Sequence, residues 1–425
     1  MQKNQKKVFI KTYGCSFNVA DSENMAGLLK ESGYKIVDNE KDADLVIINS
    51  CTVKNNAETK FWRDVKNIKK PKILAGCVPQ AETDKTKFSG FSVIGTNQIT
   101  KVVEVTNQTL SGNVVQLLTK EKNPRLNIPK VRKNSVIEIL PINEGCLGSC
   151  TFCKTKFARG HLYSYELDAI AKQAREALNE GVKEIWLTSQ DTACYGYDIG
   201  TNIVELIKKI LEMKREFKLR LGMGNPEYFK KQIDNLLPLF QDKRLFRFLH
   251  IPLQAGSNKV LKDMKREYSV EEYLELIKKI KSQYPDMTLS TDIICGFPTE
   301  SNSDFEMTLK IIEEIKPDVL NISRFWPRPG TKAAKLKQLP SEVIKDRSIK
   351  LRNLFYKVAK ENNKKWFAWK GEILIDEIGK NNSFIGRNYA YKPVIIKKSD
   401  NIKLGDFVNV EIVKTETHDL RAVKL

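Results

Sequence analysis

The sequence predicts an α/β protein in three parts: an N-terminal parallel α/β sheet domain, a central partial (β/α) barrel and a small C-terminal β-barrel. Three observations predict it. Apolar runs of strand length alternate with helical patterns over residues 7–75. The alternation recurs at least six times over 135–361. The pattern then changes to short β-rich runs with turns between them.

In order along the chain, "KVFIKTY" (7–13) reads as a strand and "NVADSENMAGLLKE" (18–31) as a helix. "DLVIIN" (44–49) is continuously apolar, the mark of a strand buried on both faces. "AETKFWRDVKNIKK" (57–70) follows as a helix and "KILA" (72–75) as a short strand. Cys15, Cys51 and Cys77 each come directly after one of these strands. Functional groups gather at the carboxyl ends of strands in an open parallel sheet. The three cysteines are therefore expected to converge on one edge. Residues 120–134 hold two prolines, six basic residues and one acid, and read as a linker.

Beyond the linker, the strand-like runs are "VIEILPI" (136–142), "EIWLTS" (184–189), "KLRLGM" (218–223), "FRFLHIP" (246–252), "TLSTDIIC" (288–295) and "VLNISRF" (319–325). Helical patterns lie between them. This suits a β/α barrel with its site at the carboxyl mouth of the strands. A long helix from about 340 to 363 closes the unit. The expected divisions are 1–119, 120–134, 135–361 and 362–425. The last carries 12 basic and 8 acidic residues, which suits a small RNA-binding barrel as well as a cap that binds nothing.

Lys plus Arg number 72 against 52 for Asp plus Glu, a net charge of +20. That excess favours a polyanionic partner such as nucleic acid, although solvated Lys/Glu helix faces produce a similar count. No run approaches the ~20 apolar residues of a membrane span, and the N-terminus lacks the apolar core of a signal peptide. A cytoplasmic protein is expected. In a reducing compartment the eight cysteines are not four disulfides. Cys194 and Cys295, isolated in sequence, read as inert buried thiols.

The remaining three, Cys146, Cys150 and Cys153, form "CLGSCTFC" in the loop after the first barrel strand. Zinc wants a fourth ligand, and no Cys or His stands at a usual finger spacing; the nearest His is His161. Three thiolates on a [4Fe–4S] cluster leave one iron without a protein ligand, where a small molecule can bind.

CxxxCxxC after the first strand of a β/α barrel resembles the radical S-adenosylmethionine enzymes. The resemblance implies that S-adenosylmethionine chelates the open iron and is cleaved to a 5′-deoxyadenosyl radical, with Phe152 packing near its adenine. "KTYGCSFNVADSE" (11–23), "NSCTVKNNAE" (49–58) and "AGC" (75–77) resemble the N-terminal domain of the methylthiotransferases. "HIPLQAGSNKVLKDMKREY" (250–268), "TDIICGFPTE" (291–300) and "RFWPRPGTKAA" (324–334) continue the match, with Ala255 where relatives often carry Ser. The C-terminal barrel resembles the TRAM domain.

This resemblance implies a second [4Fe–4S] cluster on Cys15, Cys51 and Cys77, and two S-adenosylmethionine molecules with different tasks. "CKTKFARG" (153–160) is most similar to the archaeal and eukaryotic branch, which adds a methylthio group at C2 of N6-threonylcarbamoyladenosine beside the tRNA anticodon. The adenine C2–H has no useful acidity, so radical chemistry is what can functionalise it. The implied partners are the tRNA anticodon stem-loop, a small electron donor of ferredoxin or flavodoxin type and a sulfur source. Two alternatives stand beside this reading. One is a methylthiotransferase acting on isopentenyladenosine tRNA or a ribosomal-protein aspartate. The other is an iron–sulfur RNA-binding protein without turnover.

Polar residues at strand ends are the candidate S-adenosylmethionine contacts: Ser189, Gln190, Asn225, Gln254, Asp292 and Arg324. Each could instead pack the barrel or cap a helix, Asn225 above all because it precedes Pro226. Lys154, Lys156 and Arg159 follow directly on Cys153 and are expected to make the mouth basic. Lys154 or Lys156 would then pair with the carboxylate of the threonylcarbamoyl group, or else neutralise the cluster or meet tRNA phosphates.

Overall fold

The computed structural model describes residues 5–52, 55–122, 125–398 and 401–425. Residues 53–54 of the second cysteine motif and 123–124 of the expected linker lie outside the described residues.

Six parallel strands form the first sheet, in the order Lys35–Ile36, Lys7–Thr12, Leu45–Ser50, Lys72–Gly76, Ser92–Gly95 and Gln116–Leu117. Leu45–Ser50 is central and buried throughout, as its apolar run requires. The helix Ser16–Glu31 is enclosed on both sides. Met25 and Leu29 pack on the sheet, while Ala20 meets Val136, Ile137 and Ile139 at the start of the central unit. Polar residues Asn18, Asp21, Ser22, Glu23 and Asn24 are buried in it. Such burial is tolerable only where partners exist. Asp21 pairs with Arg125 and with Arg159, and Thr12 bonds Ser22.

The central unit is a partial barrel of two three-stranded parallel sheets. One is ordered Lys218–Leu221, Glu184–Thr188, Ile137–Pro141; the other Phe248–His250, Thr288–Cys295, Val319–Arg324. The bridge Leu219 to Leu245 and a bond from Gly224 N to His250 O (3.1 Å) join them. All six strands fall within the segments expected from sequence. The helix Ser341–Lys364 closes the unit.

The last unit is a closed barrel of five strands, ordered Lys370–Ile378, Ser383–Arg387, Pro393–Lys397, Leu420–Lys424, Phe407–Thr415. Sequence pattern shows three of these. "SFIGR" and "LRAVK" are too short and too polar to stand out, and they form because closure pairs every edge. This barrel sits under the amino ends of the central strands, opposite the mouth. Arg247 N donates to Tyr389 O (2.8 Å), Asn134 Nδ2 to Asp376 O (2.7 Å), and Lys392 pairs with Asp318 (2.7 Å). No helix among the described residues is long and apolar enough to cross a membrane.

Candidate active site between two cysteine triads

The parallel sheet brings its three cysteines to one edge. Cys15 caps the amino end of Ser16–Glu31, Cys51 follows the central strand, and Cys77 opens the short helix Cys77–Ala81. Asn18 lies one helical turn on from Cys15. It accepts from Cys15 Sγ at 3.3 Å, and its amide donates to Ser50 O at 2.9 Å and lies 3.9 Å from Cys77 Sγ. Gly14 lets Cys51 approach: a Cβ there would sit 2.5 Å from Cys51 Cβ. A hydrogen bond from the Cys51 thiol holds the Cys15 thiol down to about 6, whereas burial pushes Cys77 up.

The second triad occupies the loop after Ile137–Pro141. A Cβ built on Gly148 would lie 3.4 Å from Cys146 Sγ and 3.8 Å from Cys150 Sγ, so both sulfurs face one small space that any side chain at 148 would fill. Cys153 N donates to Cys150 O, which curls the third cysteine toward the other two. Burial pushes Cys146 up to about 12 and raises Cys150. Among the described residues no three ligating side chains close on a single point as ligands of one metal ion would. Several irons, each held by one thiolate, ask for a shared space instead. The thiol sets and the Gly148 cradle fit that demand. S-adenosylmethionine-type chemistry would use the iron left without a thiolate.

A buried polar network holds this loop. Arg266 donates to Cys150 Sγ (3.2 Å) and to Asn225 Oδ1 (2.5 Å). Asn225 Nδ2 donates in turn to Asp191 Oδ2 at 2.6 Å. Burial raises Asp191 to about 6. Gln190 Oε1 accepts from Gly145 N (2.7 Å), immediately before Cys146, and Ser189 Oγ accepts from Asp191 N (2.9 Å). Asn225 occupies the N-cap position but makes no side-chain cap bond, because its amide is committed to this network. Asp191 and Arg266 escaped sequence reasoning. Arg266 stands in the quoted run "KREY", yet nothing local tells that it reaches a cysteine 116 positions earlier.

The other expected contacts are spread around the barrel. Gln254 adopts a left-handed conformation (φ +69°), held by backbone bonds to Asp292 and Ile294. Such a conformation is costly for a residue with a side chain. Asp292 Oδ1 accepts from Asn321 (2.7 Å) and lies 2.9 Å from His250 Nε2. Arg324 Nε donates to Ser348 Oγ on the closing helix. Phe152 packs against the central core. Cys194 and Cys295 are buried, and burial raises both thiols.

The expected basic rim needs correction. Lys156 Nζ donates to Gly148 O (2.7 Å) and Leu147 O, so it clamps the cysteine loop. Lys154 is buried, and its charge acts on Glu82. Arg159 is 1% exposed and belongs to the other triad: it pairs with Asp21 at 2.7 Å and acts on Cys77. A short helix, Thr155–Arg159, explains the displacement. It leads from Cys153 into the N-terminal unit, where Ala158 packs against Cys77. At 1.5 Å per residue it spans only about 7.5 Å. The two triads therefore stand close together.

Arg328 also connects them. Its guanidinium pairs with Glu58, just after Cys51, at 3.1 Å. Burial lowers its pKa; Glu58, Cys51 and Cys153 all act to raise it. One cation thus feels a cysteine of each triad. The loop carrying it is pinned to the cysteine loop by Ala333 N donating to Thr151 O (3.0 Å).

Comparisons with known proteins agree with this construction. Residues 7–93 match the model of Uncharacterized protein family UPF0004, 140–312 the Radical SAM superfamily, and 371–425 the TRAM domain. The threonylcarbamoyladenosine tRNA methylthiotransferase of Homo sapiens is 43% identical over 98% of this chain and 73% of its own length. A probable threonylcarbamoyladenosine tRNA methylthiotransferase of Pyrococcus abyssi is 38% identical over 96% of both chains. Among solved structures, a radical S-adenosylmethionine methyltransferase from Kitasatospora setae, with cobalamin and a [4Fe–4S] cluster bound, shares the fold. Its TM-score is 0.56 at 11% identity, over 78% of this chain and 77% of that one. Identity of 38–43% over nearly the whole chain places the chain in the radical S-adenosylmethionine family of threonylcarbamoyladenosine tRNA methylthiotransferases.

Proposed function

We propose that this protein transfers a methylthio group to C2 of N6-threonylcarbamoyladenosine beside the anticodon of tRNA, using two [4Fe–4S] clusters and two S-adenosylmethionine molecules. The observation that carries the proposal is the closeness of two cysteine triads, joined by the helix Thr155–Arg159 and by Arg328. Two clusters held by neighbouring triads would suit a reaction that needs two activated reagents at one carbon.

When bound, the clusters and S-adenosylmethionine supply the sulfur, the methyl group and the hydrogen-abstracting radical. The chain supplies position. Cys15, Cys51 and Cys77 would hold the sulfur-side cluster, with Asn18 and Arg159 fixing its surroundings. Cys146, Cys150 and Cys153 would hold the radical-side cluster, on a loop tied by Lys156, Gln190 and Arg266. Residues 1–119 and 135–361 thus carry one cluster each, 120–134 link them, and 362–425 serve RNA binding. Reducing surroundings and a tRNA substrate put the protein in the cytoplasm, served by a small-protein electron donor and a sulfur source.

Anaerobic reconstitution followed by mass spectrometry of tRNA nucleosides tests the proposal. About eight irons per chain and a 2-methylthio product are expected, on the premise of two four-iron clusters. Replacing Cys15, Cys51 and Cys77 together by Ala halves the iron and abolishes the product, yet leaves 5′-deoxyadenosine formation. A triple variant that keeps all its iron refutes the two-cluster assignment. An iron–sulfur binding protein without turnover forms no 5′-deoxyadenosine at all.

A further inference from the structure

The seam between the barrel floor and the C-terminal β-barrel encloses a cavity of about 480 Å³. It is lined by residues of the second central sheet, among them Thr288 and Asp318 at the amino ends and His250 and Asn321 further in, by the closing helix and by the C-terminal barrel. A volume of this size falls in the range of small-molecule sites, roughly 300–1,000 Å³.

Its lining is unusual in one respect. The Arg220 guanidinium lies among three aromatic rings, 5.0 Å from the centroid of Trp186 and 5.1 Å from those of Phe248 and Tyr391. Arg387, from the C-terminal barrel, lies 4.9 Å from the same Tyr391 ring. Rings over the faces of a guanidinium leave its N–H edges to bind whatever enters. Arg220 Nε is shut off from solvent and has no hydrogen-bond partner among the described residues. Thr288 is 2% exposed, lines the same cavity, and its Oγ1 likewise has none among them. A buried donor without an acceptor costs free energy. Among the described residues Asp318 is the only acidic residue of the lining, and Lys392 neutralises it at 2.7 Å. Arg387 is balanced by Asp376 at 3.0 Å. Glu377 also lies 3.7 Å from Arg387, and Glu184, a buried carboxyl that feels both Arg387 and Arg220, is raised by burial to about 8. Arg220 makes no ion pair among the described residues, and its unpartnered Nε is left for a ligand.

We propose that this cavity binds a small phosphate-bearing molecule, with Arg220 and Thr288 of the central barrel donating to the phosphate and Arg387 adding charge from the C-terminal barrel. Forked donors from two directions suit a tetrahedral oxyanion with acceptors on every side. Because the donors come from both units, an occupied site fastens the C-terminal barrel to the floor. The proposal does not depend on which nucleoside the mouth accepts.

Calorimetric titration of the full-length holoprotein with inorganic phosphate, AMP and adenosine, at constant ionic strength, tests it. Saturable binding of phosphate or AMP is expected, with none for adenosine. Affinity falls at least tenfold in Arg220→Gln and in Thr288→Val. Should Arg220→Gln not fold, Thr288→Val decides alone, since it removes the hydroxyl and keeps the shape. The proposal is overturned if neither phosphate probe binds saturably, if adenosine binds as tightly as AMP, or if the variants lose less than tenfold.

Discussion

Asn18 shows how one side chain can organise a site whose parts are far apart in sequence. Its amide touches Cys15, the backbone at Ser50 and Cys77, so it sets all three cysteine-bearing segments at once. Asn18→Ala removes those bonds and leaves Ser50 O short of a donor. A loss of about 1–3 kcal/mol is expected, by the cost of a buried unmade bond. Iron retained by the second triad and lost from the first is the accompanying readout, by iron analysis and thermal melting. Arg328 makes the comparable link between units. A double-mutant cycle on Arg328→Met and Glu58→Gln is expected to give a coupling of about 0.5–3 kcal/mol, as for contacting residues in one charged network. A coupling of zero by denaturant titration would remove the pair from the set of contacts that hold the two triads together.

At the scale of elements, the strand Glu184–Thr188 joins the mouth to the floor. Its carboxyl end leads into Ser189, Gln190 and Asp191, and its first residue is Glu184, in the seam beside Asp376 and Arg387. Burial, followed by the negative charge of Asp376, raises Glu184 to about 8. The native state therefore binds this proton more tightly than the unfolded chain does. Its stabilising effect is complete below the ordinary carboxylate range, near pH 4.3, and is lost as the pH rises toward about 8. Melting temperature is expected to fall across that window. Glu184→Gln keeps the acceptor for Trp186 Nε1 and cannot ionise, so it should flatten the profile and stabilise the protein by about 1–3 kcal/mol at pH 8. Identical pH profiles for the two proteins would show that another group sets the slope.

For the whole molecule, the position of the C-terminal barrel changes how its RNA role has to be tested. Sequence suggests cutting the chain near residue 363. The structure shows that the cut would strip the floor: Phe246 packs edge-on and Phe248 at a tilt against Tyr391, and Lys392 neutralises Asp318. A truncated protein would lose stability along with any RNA contact. Charge reversal on the outer face separates the two effects. Lys397 and Lys398 are exposed there. Lys397→Glu with Lys398→Glu is expected to weaken tRNA binding, with a salt dependence shallower by about two phosphate contacts, at roughly 0.7–0.9 in log–log slope for each. Stability and iron content should not change. An unaltered salt slope would exclude this face from the RNA interface.

Local order determined what the sequence could disclose. Strand runs, helical periods and the 146–150–153 spacing are set by neighbours a few residues apart, and so is the rule that cysteines after parallel strands meet at one edge. The six central strands and the gathering of Cys15, Cys51 and Cys77 were legible for that reason. Which charges meet was decided only by tertiary structure. Lys156 and Arg159 lie three and six residues beyond Cys153, and by sequence both belong to the mouth. In the fold, Lys156 turns back onto Gly148, and Arg159 is drawn into the N-terminal unit by Asp21, 138 positions earlier. Arg266 with Cys150 and Arg328 with Glu58 pair across 116 and 270 positions. A buried charge must find a partner wherever the fold puts one. Sequence shows that the charge is present, and only the packing of one unit against another supplies the partner.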